Sequence, residues 1–369
     1  MNHIRNRRVA LRLTATGAVV ALAAAACGGG GTSKSSGTTA NFFATTTAPS
    51  SGSGGGTPAH TTGAGLLDQP GFEATFSLNV TPDQISQMQA IDAKKSTTSS
   101  KLSTAEIDAL AKGSISIAVH STDGSSLGKV SSSGKSANEA FDMALHIGTD
   151  TPFDLRVIGK TLFLKVALQQ VLSDTGQNPA SGQKYQSELQ GLDAQVHGLA
   201  ALASGSWVST DLTPLEQLAN TAGGASSTTL PAAAATNELK KVEQAISANT
   251  TSTKVGDSGG RTEYNVTVNV AGLSSSLGSA VSSLPGVGST VGKGQQKLSG
   301  AKSVTVQAYE KNGKLVEVDV DLNQFSHTYP FAVPLRIQLG AGSTIAAPGG
   351  ATSIDLTPLL GSLGSLGKG

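Results

Sequence analysis

The sequence predicts an α+β domain built on one large, twisted antiparallel sheet with helices grouped on one face. Three observations predict it. Apolar and polar residues alternate along many short stretches, turn residues separate those stretches, and a few segments between them repeat with helical spacing. Alternation with period two places residues i and i+2 on one face of a strand. One dry and one wet face is the mark of an antiparallel sheet, because parallel sheets are covered on both sides. Helices that cover the dry face complete a layered α+β arrangement.

The elements follow in order. Phe72, Ala74, Phe76, Leu78 and Val80 alternate with Glu73, Thr75, Ser77 and Asn79. Ile115, Ile117 and Val119 form the next stretch, then Phe141, Met143, Leu145 and Ile147. Phe153, Leu155 and Val157 lead through Gly159-Lys160, a tight turn, to Leu162, Leu164 and Val166. Trp207 with Val208 is followed by Tyr264, Val266, Val268 and Val270, and then by Val304 and Val306. Lys311-Asn312-Gly313-Lys314 carries the Asn-Gly hairpin signal. Beyond it Val316, Val318, Val320 and Leu322 alternate with Glu317, Asp319, Asp321 and Asn323, and Phe331 to Leu339 closes the set. Helices are expected over Pro82–Lys95 and Thr104–Lys112, the latter capped by Ser103 with Glu106 three residues on. Further helices are expected over Gln183–Ala203, Thr213–Ala219 and Leu230–Ala248, with a weak one over Ala271–Leu284.

The chain before residue 66 does not fit this pattern. Arg5, Arg7, Arg8 and Arg12 precede an apolar stretch from Leu13 to Ala26, and the small residues Ala24-Ala25-Ala26 precede Cys27. This is the layout of a secretory signal peptide, with an apolar part too short to span a bilayer. Cys27 is the sole cysteine of the chain. Its position resembles a bacterial lipobox, where the Cys receives lipid and becomes the new N-terminus, although Ala24 stands where Leu is usual. Residues 1–26 are therefore read as signal, and Cys27 as the lipidation site and anchor to the extracytoplasmic face of the cell membrane. Residues 27–65 are rich in Gly, Ser, Thr, Ala and Pro. They cannot bury enough apolar area to offset chain entropy. As a coil they reach roughly 35 Å, a flexible tether. Residues 66–362 form the domain, and residues 363–369 a disordered tail.

Composition narrows the function. The signal removes four Arg and no acid, so the net charge moves from +1 to −3 in the mature chain. Such a chain offers no electrostatic footprint for nucleic acid. A single cysteine excludes a disulfide scaffold and multi-cysteine metal or iron–sulfur sites. Gly256-Asp257-Ser258-Gly259-Gly260 matches the loop around a protease serine, but the histidine context such an enzyme needs is absent. The run sits where a hairpin turn belongs. Gly286 to Lys293 fits neither phosphate-loop spacing. His3, His60, His120, His146, His197 and His327 show no metal-ligand spacing. Glu317, Asp319 and Asp321 read as a solvated strand face rather than a calcium site. No enzyme, metal or cofactor is expected.

A one-faced sheet of this length must cover its apolar side. Strands of about nine residues run roughly 30 Å, enough for an extended acyl chain. Helices that fill the same space would leave no cavity, and both readings stand on the pattern alone. The segment Leu155-Arg156-Val157-Ile158-Gly159-Lys160-Thr161-Leu162-Phe163-Leu164-Lys165-Val166 is a strand–turn–strand. Gly205 to Leu212, Arg261 to Val268, the hairpin Val304 to Leu322, Ile345 to Pro348 and Ile354 to Leu356 follow it in order. With the lipobox Cys and tether, this order resembles the actinobacterial lipoproteins that include LppX, LprA, LprF and LprG. The resemblance covers most of residues 70–360. It departs at Ser274–Gly300 and at Ala222–Ala248.

The resemblance implies a half-open barrel of LolA-like shape, with helices on its concave face and a hydrophobic cavity between the layers. It implies binding of acyl chains of lipid or glycolipid, carriage through the cell envelope, and an envelope transporter as transfer partner. The inward-facing candidates for the cavity lining are Phe72, Phe76, Leu78, Ile117, Phe141, Leu145, Leu155, Leu164, Tyr264, Val266 and Val318. The rival reading is a structural or protein-interaction surface lipoprotein with a filled core and no ligand.

Overall fold

A computed structural model of the chain describes residues 69–95, 101–127, 139–193, 196–214, 248–272 and 303–355. These residues form one 12-stranded sheet in the order β12-β6-β5-β4-β3-β2-β1-β11-β10-β9-β8-β7. In chain order the strands are β1 Gly71–Leu78, β2 Gly113–Ser121, β3 Glu139–Ile147, β4 Asp150–Ile158, β5 Thr161–Val166 and β6 Val208–Asp211. Then come β7 Thr250–Ser258, β8 Arg261–Asn269, β9 Ser303–Lys311, β10 Lys314–Asp321, β11 Pro334–Ala341 and β12 Thr352–Ser353. The fold is the expected α+β one, with the sheet dominant. The sheet does not close on itself, which agrees with a half-open barrel.

Neighbouring strands are antiparallel except for one pair. Thr352 and Ser353 of β12 run parallel to Val208 and Ser209 of β6. The cause is a strap, residues 342–351. β11 sits beside β1, yet β12 lies at the far edge, so the strap crosses the sheet from Ala341 to Thr352. Seven strand spacings amount to about 34 Å, and a chain of that length reaches at most about 36–40 Å. The strap is therefore extended for most of its length, and after a turn at Gly349-Gly350 β12 runs in the same direction as β6.

Turn chemistry fits the hairpins. Asn312 and Gly313 have φ of 53° and 73°, the left-handed pair that a two-residue hairpin turn needs. Gly259 and Gly260 do the same between β7 and β8, with φ of 60° and 74°. There the Asp257 carboxylate accepts from Lys254 Nζ at 2.7 Å and from Thr262 Oγ1 at 2.6 Å. That Asp ties the hairpin together.

The helices depart from expectation in part. α1 (Pro82–Lys95) and α2 (Thr104–Lys112) occupy the expected residues. Ser103 caps α2 as anticipated: its hydroxyl accepts from the Glu106 amide while the Glu106 carboxylate accepts from the Ser103 amide. The single helix expected over Gln183–Ala203 is two. α4 (Pro179–Leu192) ends before Gly198, whose φ of 97° breaks the run, and α5 (Leu199–Ala203) starts after it. Across the break Asp193 Oδ1 accepts from the Gly198 and Ala200 amides. Two short helices carried no clear sequence signal: α3 (Leu168–Asp174) and α6 (Asn323–Ser326). The last long strand starts at Pro334, so Phe331 and Val333 precede it. They pack with Val80, Ile85 and Ile107 instead. The helices expected over Leu230–Ala248 and Ala271–Leu284 and most of Thr213–Ala219 lie outside the described residues, as do Cys27, the tether and the tail.

The main core is formed where β1, β10 and β11 meet. Ala74, Phe76, Val320, Leu335 and Ile337 are buried together. A second core joins the sheet to α1 and α2 through Val80, Ile85, Ile107 and Val333, with Leu78 bridging the two.

Candidate functional site

Strand register places every predicted lining residue on one face of the sheet. Tyr264 opposes Ala308, Ala308 opposes Val318, Val318 opposes Ile337 and Ile337 opposes Phe76. The same row continues through Ile115, Leu145, Phe153 and Val166. A second row is Ala74, Ile117, Met143, Leu155 and Leu164, and a third is Phe72, Val119, Phe141, Val157 and Leu162. Leu78 and Val266 lie two residues along from Phe76 and Tyr264, on the same face.

The rows divide by burial. Phe76, Tyr264 and Val266 are buried, the latter two packed with Ala308. Phe72, Leu78, Ile117 and Val318 are half-buried against the main core. Leu164 packs on Val196, Val208 and Ile354 beside α5. In contrast, none of the side chains that β2, β3, β4 and β5 contribute to these rows is buried. Phe141, Leu145 and Leu155 are among them, and Ile115 is 37% exposed. Met143, Phe153, Val157, Leu162 and Val166 join this floor although they were not singled out from sequence. Their signal was the same alternation. The floor measures about 14 Å along the strands and about 14 Å across them, between row and strand centres.

Its two ends differ. α2 leads directly into β2, the Gly148 amide donates to the Lys112 carbonyl, and the Ala167 amide before α3 donates to the Pro152 carbonyl. Helices therefore gather at the end marked by Leu78, Gly113, Ile147 and Val166. The opposite end is marked by Ser121, Glu139 and the Gly159-Lys160 turn. Glu139 opposes Ser121 and shares the face of Phe141. Burial pushes its carboxyl up.

The other face of the same strands is polar in sequence but more buried. Ala140, Ala144, Asp154 and Phe163 are all buried there. Arg156 ties the strap to this face. Arg156 Nη1 donates to the Ala346 carbonyl at 3.1 Å, so the strap crosses on the polar face. The guanidinium meets Asp142 Oδ2 through Nε at 3.1 Å and Asp154 Oδ2 through Nη2 at 2.9 Å. It also lies 4.9 Å from the Trp207 ring centre, a cation–π contact. Burial, and then the nearby Asp154, push the Asp142 carboxyl up to about 6, with Arg156 opposing the shift.

Glu317, Asp319 and Asp321 are not the solvated stripe expected of them. Glu317 and Asp319 are buried. Arg336 lies opposite Asp319 on β11 and pairs with both, at 3.3 Å to Glu317 and 3.1 Å to Asp319. Arg261 reaches Glu317 at 3.2 Å. Asp321 Oδ1 accepts from the Asn323 and Val333 amides. Register supplies the partners that a strand read alone does not reveal. His146 is likewise engaged, between Ser116 Oγ at 2.9 Å and Thr151 Oγ1 at 3.0 Å. Among the described residues no group of three or more His, Cys, Asp or Glu is placed to hold a metal ion. No described helix is long and apolar enough to cross a membrane. No protein-family model matches the chain, and no curated protein matches it.

Proposed function

We propose that this chain is an extracytoplasmic lipoprotein, anchored to the cell membrane through Cys27, whose sheet receives the acyl chains of a lipid or glycolipid. The half-exposed apolar floor of β2–β5 carries this reading. Water on such a surface costs about 25 cal/mol per Å², and contiguous apolar patches of a few hundred Å² mark binding sites. Each CH₂ of an acyl chain gains about 0.8 kcal/mol when fully covered, before ordering costs, and about half of that when one side lies on the floor. The function is binding without catalysis: take up acyl chains, shield them from water, and pass them to an envelope transporter.

The second reading, a surface lipoprotein with a filled core, is favoured by the other half of the sheet. Tyr264, Val266, Val268, Val304 and Val320 are buried there. Native mass spectrometry of the mature protein extracted from membranes separates the two. The lipid reading expects copurified lipid at stoichiometric level, lost in Leu145→Trp with the circular dichroism spectrum unchanged. A clean apo mass from several preparations favours the filled core.

A further inference from the structure

The two ends of the floor bear on which amphiphile it takes, if the floor binds acyl chains as proposed above. Helices gather at the Leu78 end, so the polar end of a bound amphiphile points the other way. The first ionisable side chain that a strand places on that face, beyond the row of Phe72, Val119, Phe141, Val157 and Leu162, is Glu139, with Lys160 in the β4–β5 turn at the same end. Among the described residues it makes no hydrogen bond or ion pair, and loss of water is the sole influence on its carboxyl. Among the described residues its surroundings add no free positive charge. Asp123 lies in the turn after β2, where its carboxylate accepts from Ser121 Oγ at 2.6 Å and the Ser125 amide at 2.9 Å. The cation at this end, Lys160, lies in the field of Asp211 on β6.

A carboxylate that has lost water without gaining a partner is an acceptor in search of a donor. It also repels a second anion brought into the same poorly hydrated place. We propose that Glu139 selects the ligand of the floor, admitting an acyl chain whose head end presents a neutral hydrogen-bond donor such as a hydroxyl and rejecting one with an acidic head. The polar group and the acyl rows are on one face and one strand, so a single ligand meets both.

The test uses two 16-carbon probes, 1-monopalmitoylglycerol and hexadecyl sulfate, mixed in equal amounts with the mature, delipidated protein and read by native mass spectrometry. The sulfate stays anionic at every working pH. The wild type should take up the glycerol probe about tenfold more than the sulfate, the scale of one charge-assisted hydrogen bond. Glu139→Gln should bring the ratio to within about threefold while total uptake persists. Glu139→Lys should invert it. A ratio that is unchanged in both variants overturns the assignment to Glu139 and leaves the lipid floor standing. Uptake of neither probe by the wild type, with no loss on Leu145→Trp, overturns the floor itself and this inference with it.

Discussion

Replacing Asp142 by Asn should stabilise the protein at neutral pH, an unusual outcome for removing half of an ion pair. Asp142 sits opposite Arg156 across β3 and β4 and shares it with Asp154. One guanidinium serves two carboxyls, and the carboxyl of Asp142 is held at about 6 rather than 3.8. Unscreened, that difference is worth about 3 kcal/mol. The side chains of Arg156 and Asp142 keep 25% and 21% exposure, so screening by water reduces it to about 1–2 kcal/mol. The direction follows from linkage. A folded-state value above the unfolded one means that the native protein binds the proton more tightly. The wild type therefore gains stability as pH falls through 6 toward 4, and carries the full penalty above 6. Asn is neutral throughout, accepts from Arg156 through its oxygen and donates to Asp154 through its amide. Denaturant unfolding of the mature protein at several pH values measures the effect. Asp142→Asn should exceed the wild type by about 1–2 kcal/mol at pH 7.5 and lose that advantage near pH 4. A variant less stable than wild type at pH 7.5, or a difference independent of pH, would refute the shared-guanidinium argument.

Arg156→Ala should have the opposite sign. It strands the buried Asp154 beside Asp142 and frees the Ala346 carbonyl, costing about 2–4 kcal/mol at pH 7.5. Amide exchange should speed up in residues 342–354, and a strap that exchanges as in wild type would count against Arg156 as its fastening. Phe76→Ala should cost about 3–5 kcal/mol, since Phe76 is 8% exposed among Ala74, Val320, Leu335 and Ile337. Leu155→Ala, on the half-exposed floor, should cost about 1 kcal/mol or less. Equal costs in unfolding experiments would mean that the floor is packed as core.

Much of the fold was legible because burial on one side of a strand leaves a two-residue period that needs no partner to be seen. That is why Phe72 to Leu78, Ile115 to Val119 and Phe141 to Ile147 announce themselves, and why all the expected lining residues share one face. Local hydrogen bonding is legible for a similar reason. The Ser103–Glu106 capping box and the Asn312-Gly313 turn are closed within a few residues. What was not legible depends on chain segments far apart. Glu317 and Asp319 alternate as a wet face should, and Arg336 on β11 with Arg261 on β8 makes them buried partners. The break at Gly198 arises because Asp193 caps across it. β12 is two residues long, and nothing in Thr352-Ser353 alone marks a strand.

The amino-acid sequence by itself determined most of the strands, their dry face and the hairpin turns, since each rests on neighbours in the chain. The tertiary structure decided how the faces are used. It carried the strap from β11 over to β6, tied it to Arg156 on the polar side of β4, and packed Phe76, Tyr264 and Val266 as core. It left Phe141, Leu145 and Leu155 half-exposed with Glu139 at their end. A strand's alternation records which side avoids water, but whether protein or a ligand keeps that side dry depends on what the rest of the chain places against it.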